Sequence, residues 1–369
     1  MTVIAVSILR IGLASAAALT TVVGAGACEL DGQRGGATTA AAQETGGRVS
    51  DKGEFAWRVS NSAPSGCPVW LLGGGFSYKN GSSRYIPTAL LHSGWGTEVS
   101  VHVVNDDRTP LPDRVSVSFL SLLEDKYYEG SFALPRDSIE RLFREGYPKR
   151  KRAGGRETYD VLVAGVAPGG TVAVWASGSE RQTEVFFGRA TPVEREWRQI
   201  VGSSSRVDRR TFIEGDLQDV AAVDPLVDVY RRTPPPADLW ARYRTRYRWR
   251  PAFDNLTGVA MLRTIQYFNG ERDVLPLPLD PKAVAAGLPT PSFLAFSHEA
   301  TRQSYQFTFD DEETLAAFAK AGAGGAPVEL AFVAPPGGPV VGRPLEVQVR
   351  GGGAAVPLRK VAAKVYGLR

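Results

Sequence analysis

One ordered set of anchors occurs twice along this chain, and a sequence with that property points to two units built on one plan. "EFAWRVS" opens the first set and "RYRWRPAF" the second, so Phe55, Trp57 and Arg58 answer Tyr247, Trp249 and Arg250. "FSYKNGSSRYIP" is answered by "IQYFNGERDVLP": an alternating segment, Asn-Gly, then a short segment ending in Pro. Asn-Gly tolerates the positive φ of a tight turn, so each of these reads as a hairpin. "SFLSLLEDKYYEGSFALPRDSIERLF" is answered by "SFLAFSHEATRQSYQFTFDDEETLAAF", a strand pair followed by a helix. "YDVLVAGVAPGG" is answered by "VELAFVAPPGG", and "VFFGR" by "VYGLR".

The expected fold is α+β: two tandem duplicated domains, each a mainly antiparallel sheet of about five to seven strands with one helix. The boundaries fall at 52–195 and 241–369, with 196–240 as a linker whose Pro and Ser breaks surround one short helix in "FIEGDLQDVAAVDPLVDVY". The first domain's helix begins near Pro135 and carries Ile139, Leu142 and Phe143 on one side. In the second, Leu315, Phe318 and Ala319 face inward, and the "DDEE" run from Asp310 sits where capping and the helix dipole favour acids. That position reads as a helix start in preference to a metal or catalytic cluster.

The amino terminus reads as an export signal, residues 1–27, with Arg10 as its charge and a run of small apolar residues ending before Cys28. Ala25, Gly26 and Ala27 suit a bacterial lipobox with Ala where Leu is commoner, which makes Cys28 the site of lipid attachment; Ala25 and Ala27 also suit an A-x-A cleavage site for plain secretion. Glu29, in place of Asp, points a lipoprotein to the outer membrane. Residues 28–51 are poor in large apolar side chains and read as a tether reaching on the order of 25 Å. Only Cys67 remains as a second cysteine, so no disulfide framework is expected. The expected location is the periplasm, with outer-membrane anchoring through Cys28 or, alternatively, as a soluble or secreted protein.

Catalytic signatures are scarce. His92, His102 and His298 are not spaced with Cys, Asp or Glu as zinc ligands are, and the chain carries no G-x-S-x-G elbow, phosphate loop or dinucleotide fingerprint. "LLGGGF" lies inside a strand-like run, where a bulge is the better reading; Asp106 and Asp107 fall in a loop signal. No enzyme, cofactor or metal is expected on these grounds.

Basic residues number 43 against 39 acidic ones, so clusters matter more than the net charge of +4. Two stand out, "PKRKRAGGR" and "RYRTRYRWR". In the second, Arg242, Arg244, Arg246, Arg248 and Arg250 alternate with Tyr243, Thr245, Tyr247 and Trp249. Read as a strand, it turns the tyrosines and Trp249 to the core and the five arginines outward. A row of like charges calls for acidic neighbours or a partner. For an exported chain that partner is an acidic protein surface or anionic headgroups, not nucleic acid.

"SFLSLLEDKYYEGSFALP", "VLVAGVAPGGTVAVW" and "TEVFFGRA", with "RYRWRP", "YFNGE" and "FDDEETLAAF", resemble a family of bacterial envelope lipoproteins catalogued as domain of unknown function 2931. The resemblance implies a small secreted lipoprotein. Because some members are encoded beside antibacterial lipase toxins delivered by type VI secretion, it also implies an immunity protein that binds a cognate lipase effector, held between its two domains, and neutralises it. The alternative is a general envelope lipoprotein of structural or assembly function without a toxin partner.

Overall fold

Segments with an apolar residue at every second position dominate the chain, and helices are few, so the molecule is α+β and built mainly of sheets. The computed structural model describes residues 53–99, 108–149, 155–202 and 206–368. The expected signal peptide, Cys28 and the tether lie outside them, as do His102, Asp106, Asp107 and the middle of "PKRKRAGGR". Among the described residues no helix is long and apolar enough to cross a membrane.

Leaving short pairs aside, the first half runs β1 (Arg58–Ser62), β2 (Val69–Ser77), β3 (Ser83–Tyr85), β4 (Arg114–Ser121), β5 (Lys126–Ala133), helix α1 (Arg136–Glu145), β6 (Val161–Ala167), β7 (Thr171–Ser177), β8 (Gln182–Arg189) and β9 (Thr191–Val193). β1, β6, β7 and β8 lie side by side, with β1 parallel to β6. Facing them is an antiparallel sheet in the order β9-β5-β4-β2-β3. Alternation sends Val59, Leu162 and Val174 from one sheet, and Leu71, Val117 and Phe119 from the other, into a common core that Ile139 and Phe143 of α1 close. The glycine run of β2 carries the expected bulge, a register shift between Leu71 and Gly73.

The stretch expected as a linker with one short helix folds instead as a packed cap. Helix α2 (Arg209–Ala221) and helix α3 (Leu226–Arg232) break at Pro225, and Asp208 caps α2 by accepting from Thr211 N at 3.0 Å. Ile213, Leu217, Val220 and Val227 pack on Leu120, Leu122 and Tyr127 of the first half's antiparallel sheet. Each such aliphatic side chain contributes roughly 1.5–3 kcal/mol when buried.

In the second half come β10 (Trp249–Asp254), β11 (Met261–Tyr267), β12 (Arg272–Pro276), β13 (Pro291–His298), β14 (Gln303–Thr308), helix α4 (Asp311–Ala321), β15 (Val328–Val333), β16 (Glu346–Gly351), β17 (Ala354–Pro357) and β18 (Ala362–Gly367). β10, β15, β16 and β17 lie side by side with β10 parallel to β15, and the facing sheet runs β18-β14-β13-β11-β12. Strand order, the one parallel pair and the helix position are those of the first half. Local details correspond as well. Trp57 donates its indole N–H to Pro110 O at 3.2 Å, and Trp249 donates to Pro289 O at 3.0 Å. Both Asn-Gly turns are built alike, Gly81 N donating to Tyr78 O and Gly270 N to Tyr267 O, with φ of 84° and 85° at the glycines. One expected match fails: "VFFGR" pairs along β7, whereas Val365 to Gly367 pair along β14, the place that β9 takes in the first half.

The halves join through a bridge between Gln182 of β8 and Arg272 of β12, which makes one nine-stranded sheet from strands of both. Trp175 sits under this join, fully buried. Its ring meets Trp95 edge to face at 4.9 Å and its N–H donates to Asn269 O at 3.0 Å. Gln182 Nε2 donates to Gly96 O at 2.7 Å and to Gly270 O at 2.6 Å. The second half's Asn-Gly turn is thus pressed onto the first half, while Asn80 and Gly81 are exposed. A Cβ at Gly270 would approach the Trp175 ring to 2.9 Å, so a bare backbone is needed at this contact.

The sheet surface under that turn is apolar, made by Val161, Val163, Ala173 and Trp175. Matching the ladders Arg58↔Val161↔Ser177 and Arg250↔Glu329↔Arg350 places Glu329, Ala331, Glu346 and Gln348 at the same positions in the second half. The first surface is dressed for burial and the second for water. Truncating Trp175 to Ala should therefore cost about 3–5 kcal/mol and split urea denaturation, followed by circular dichroism, into two steps. Trp249→Ala, inside the second core, should cost a similar amount while leaving the first half's transition in place.

Candidate functional site

The arginine stretch is not one strand. Leu239–Arg242 is a short helix, the chain turns through Tyr243 to Thr245, Arg246–Tyr247 pairs with Leu288–Pro289, and only from Trp249 does β10 begin. The period-two expectation fails because Trp240 and Tyr243 are drawn into the cluster between the halves. There Tyr243 stacks on Phe268 at 5.3 Å and donates to Asp311 Oδ2 at 2.6 Å. Tyr243 and Trp249 are buried as expected and Tyr247 is half-buried, packed on Phe318.

The five arginines divide accordingly. Arg242 stands exposed at the helix end. Arg244 and Arg246 turn to the join. Arg244 lies over the Phe187 ring at 4.4 Å and holds Glu184 Oε1 at 2.6 Å. Arg246 reaches both oxygens of Glu271 through one nitrogen, Nη2, at 3.0 and 2.9 Å, a charge-assisted contact, while its Nη1 donates to Gly287 O. Glu184 N also donates to Glu271 Oε1 at 3.1 Å, so two nearly buried carboxylates, one from each half, share one small volume.

Arg248 and Arg250 face a groove of about 480 Å³ at one end of the β10-β15-β16 sheet. Arg250, Glu329 and Arg350 form a row across its three strands. Arg250 reaches Glu329 at 2.7 Å with two-thirds of its side chain exposed, Arg350 reaches Asp254 at 2.6 Å, and Arg248 donates to the Gly325 carbonyl. Val284 and Pro327 complete the lining. Arg350 was not visible as a partner for this site in the sequence, because the β15 to β16 pairing that delivers it spans a loop of Gly and Pro.

Other candidates resolve as structure. Asp310 caps α4 by accepting from Glu313 N at 2.9 Å, and Glu313 accepts from the backbone of Arg359 and Lys360. His298 is buried at the end of β13, with Nδ1 2.8 Å from Thr301 Oγ1. Cys67 is buried, and that burial pushes its thiol well above the usual range, away from reactivity. Lys149 pairs with Glu157. No group of three or more metal-ligating side chains occurs among the described residues.

The carboxyl of Glu184 is pushed up to about 7, first by burial and then, among opposing effects, by the charge of Glu271; the hydrogen bond and charge of Arg244 and the charge of Arg246 pull it down. A carboxyl raised above its unfolded value binds its proton more tightly in the folded chain. Its contribution to stability is full at acid pH and is lost as pH rises through 7. Between pH 6 and pH 8 the parent should lose about 1 kcal/mol from this group. Glu184→Gln, which keeps the neutral shape, should flatten that slope and stabilise the protein at pH 8, as read from urea midpoints at the two pH values.

A family model described as protein of unknown function DUF2931 matches residues 39–223, half of the chain. The matched span takes in the first half and α2 and stops before the arginine stretch. A search of curated proteins and a search of solved structures each found no match. The chain belongs to the DUF2931 family of proteins of unknown function.

Proposed function

We propose that this protein works by binding another protein at the bacterial envelope. In this reading acyl chains on Cys28 hold it to the outer membrane, facing the periplasm, and the arginine-lined groove of the second half meets the partner. The family resemblance supplies the partner class: a lipase effector delivered by type VI secretion, which the protein neutralises by occupancy. The two halves are tandem copies of one α+β unit, a reading supported by their common strand order and by the matched Trp57 and Trp249 contacts.

The observation that carries the binding reading is the groove. Arg248, Arg250 and Arg350 converge on it with Glu329 as the carboxylate among its lining, and guanidinium donors left over from internal pairs suit an acidic surface. Engagement is expected on this outer face, because the region between the halves is filled by Trp95, Trp175 and Trp240. The second reading, a general envelope lipoprotein of structural or assembly function, keeps anchor and surface but has no enzyme to inhibit. Neither reading involves nucleic acid, a metal or a cofactor.

Anchoring is tested by fractionation: the parent should sediment with membranes and Cys28→Ala should be released or fail to mature. Equal recovery of both in the soluble fraction would support plain secretion. Immunity is tested by adding the mature chain to a purified lipase, of the G-x-S-x-G type, encoded by a neighbouring gene. Stoichiometric loss of lipid hydrolysis is expected; undiminished hydrolysis at excess would leave the general lipoprotein reading.

A further inference from the structure

We infer that the groove beside β10 takes an acidic, partly apolar segment of a partner protein, with at least one carboxylate seated between Arg248 and Arg250. The assignment rests on the binding reading above and goes further by naming the chemistry of the partner. Three guanidinium groups face the groove against a single lining carboxylate, Glu329. Arg248 is spent only on a carbonyl oxygen, so most of its five donors stay available. Arg250 holds Glu329 from one side and keeps its outer edge in solvent. A carboxylate entering between them would gain a two-toothed contact without breaking an existing pair.

The apolar requirement comes from the wall. Val284, on the short helix Pro281–Ala286, and the exposed Pro327 flank the arginines and offer no hydrogen-bond donor. A volume near 480 Å³ admits a few side chains. A simple anion would leave that wall wet, whereas a segment that alternates acidic and aliphatic residues would cover it. The contrast with the first half argues for a reversible partner: the equivalent sheet surface there is apolar and permanently covered by the chain itself, while here Glu329, Glu346 and Gln348 keep it compatible with water.

The full mature chain is panned against short random peptides displayed on phage, and the strongest peptide is titrated into the parent, Arg248→Glu, Val284→Asp and, as a distant control, Arg232→Glu. Selected peptides should carry Asp or Glu beside aliphatic residues. Affinity should fall about tenfold or more in Arg248→Glu and in Val284→Asp, stay unchanged in Arg232→Glu, and weaken with salt. All variants should melt like the parent, since Arg248 makes one exposed contact; a variant that melts early is replaced by Arg248→Gln, for which the same loss is expected. Peptides without carboxylates, or equal binding to the parent and Arg248→Glu, would overturn the assignment. So would binding of anionic phospholipid vesicles with the same dependence on Arg248. A chain that selects no acidic peptide yet blocks the lipase removes this assignment and keeps the binding reading; one that does neither removes both.

Discussion

Trp175 is the side chain on which the arrangement of the halves depends. A sheet shared through one bridge, Gln182 to Arg272, has little strength in its own hydrogen bonds. What holds the join is the indole beneath it, buried against Trp95 and capped by the backbone of Asn269 and Gly270. The polar contacts around it are drawn partly away from water: the buried Gln182 donates through Nε2 to two carbonyls, and the half-buried Arg272 donates to Gly178 O at 2.8 Å and to Ser177 Oγ at 3.1 Å. Two carboxylates can be brought together in such a place only with cations supplied locally, which is the task of Arg244 and Arg246.

The division of labour among the arginines follows from that constraint. Arg244 and Arg246, nearest the join, pair with Glu184 and Glu271, and Arg248 and Arg250, on either side of Trp249, line the outer groove. A single stretch of sequence therefore serves two ends, ion pairs at the join on one side and the lining of an exposed basic groove on the other. The proton affinity of Glu184 ties the first of these to pH in the neutral range.

Local chemistry was legible. The Asn-Gly turns, the bulge in the glycine run, the helix start at Asp310 and the burial of Trp249 were each readable from residues within a turn or a strand of one another. The errors came where distant segments decided the outcome. "RYRTRYRWR" alternates like a strand, but its first residues end a short helix and turn, with Trp240 and Tyr243 meeting aromatic partners at the join. "VFFGR" resembles "VYGLR" in composition but takes a different place in its half, pairing along β7 where Val365 to Gly367 pair along β14. A clue to the join was present in "VLVAGVA" and "TVAVWAS", which are apolar in both phases of the alternation. Such runs imply strands covered on both faces, and the second cover turned out to come from Trp95 and the other half of the molecule.

The contact between Trp175 and Asn269 spans 94 positions of sequence. A chain that enters its compartment amino end first has an interval in which Trp175 is present and Asn269 is not. During it the first half can close its own core, yet Val161, Val163, Ala173 and Trp175 lack their final cover. The emerging chain carries a sticky apolar face for that time, and the docking of one Asn-Gly turn ends the exposure. The order of synthesis is thus also an order of protection, with the second half completing the first as well as itself.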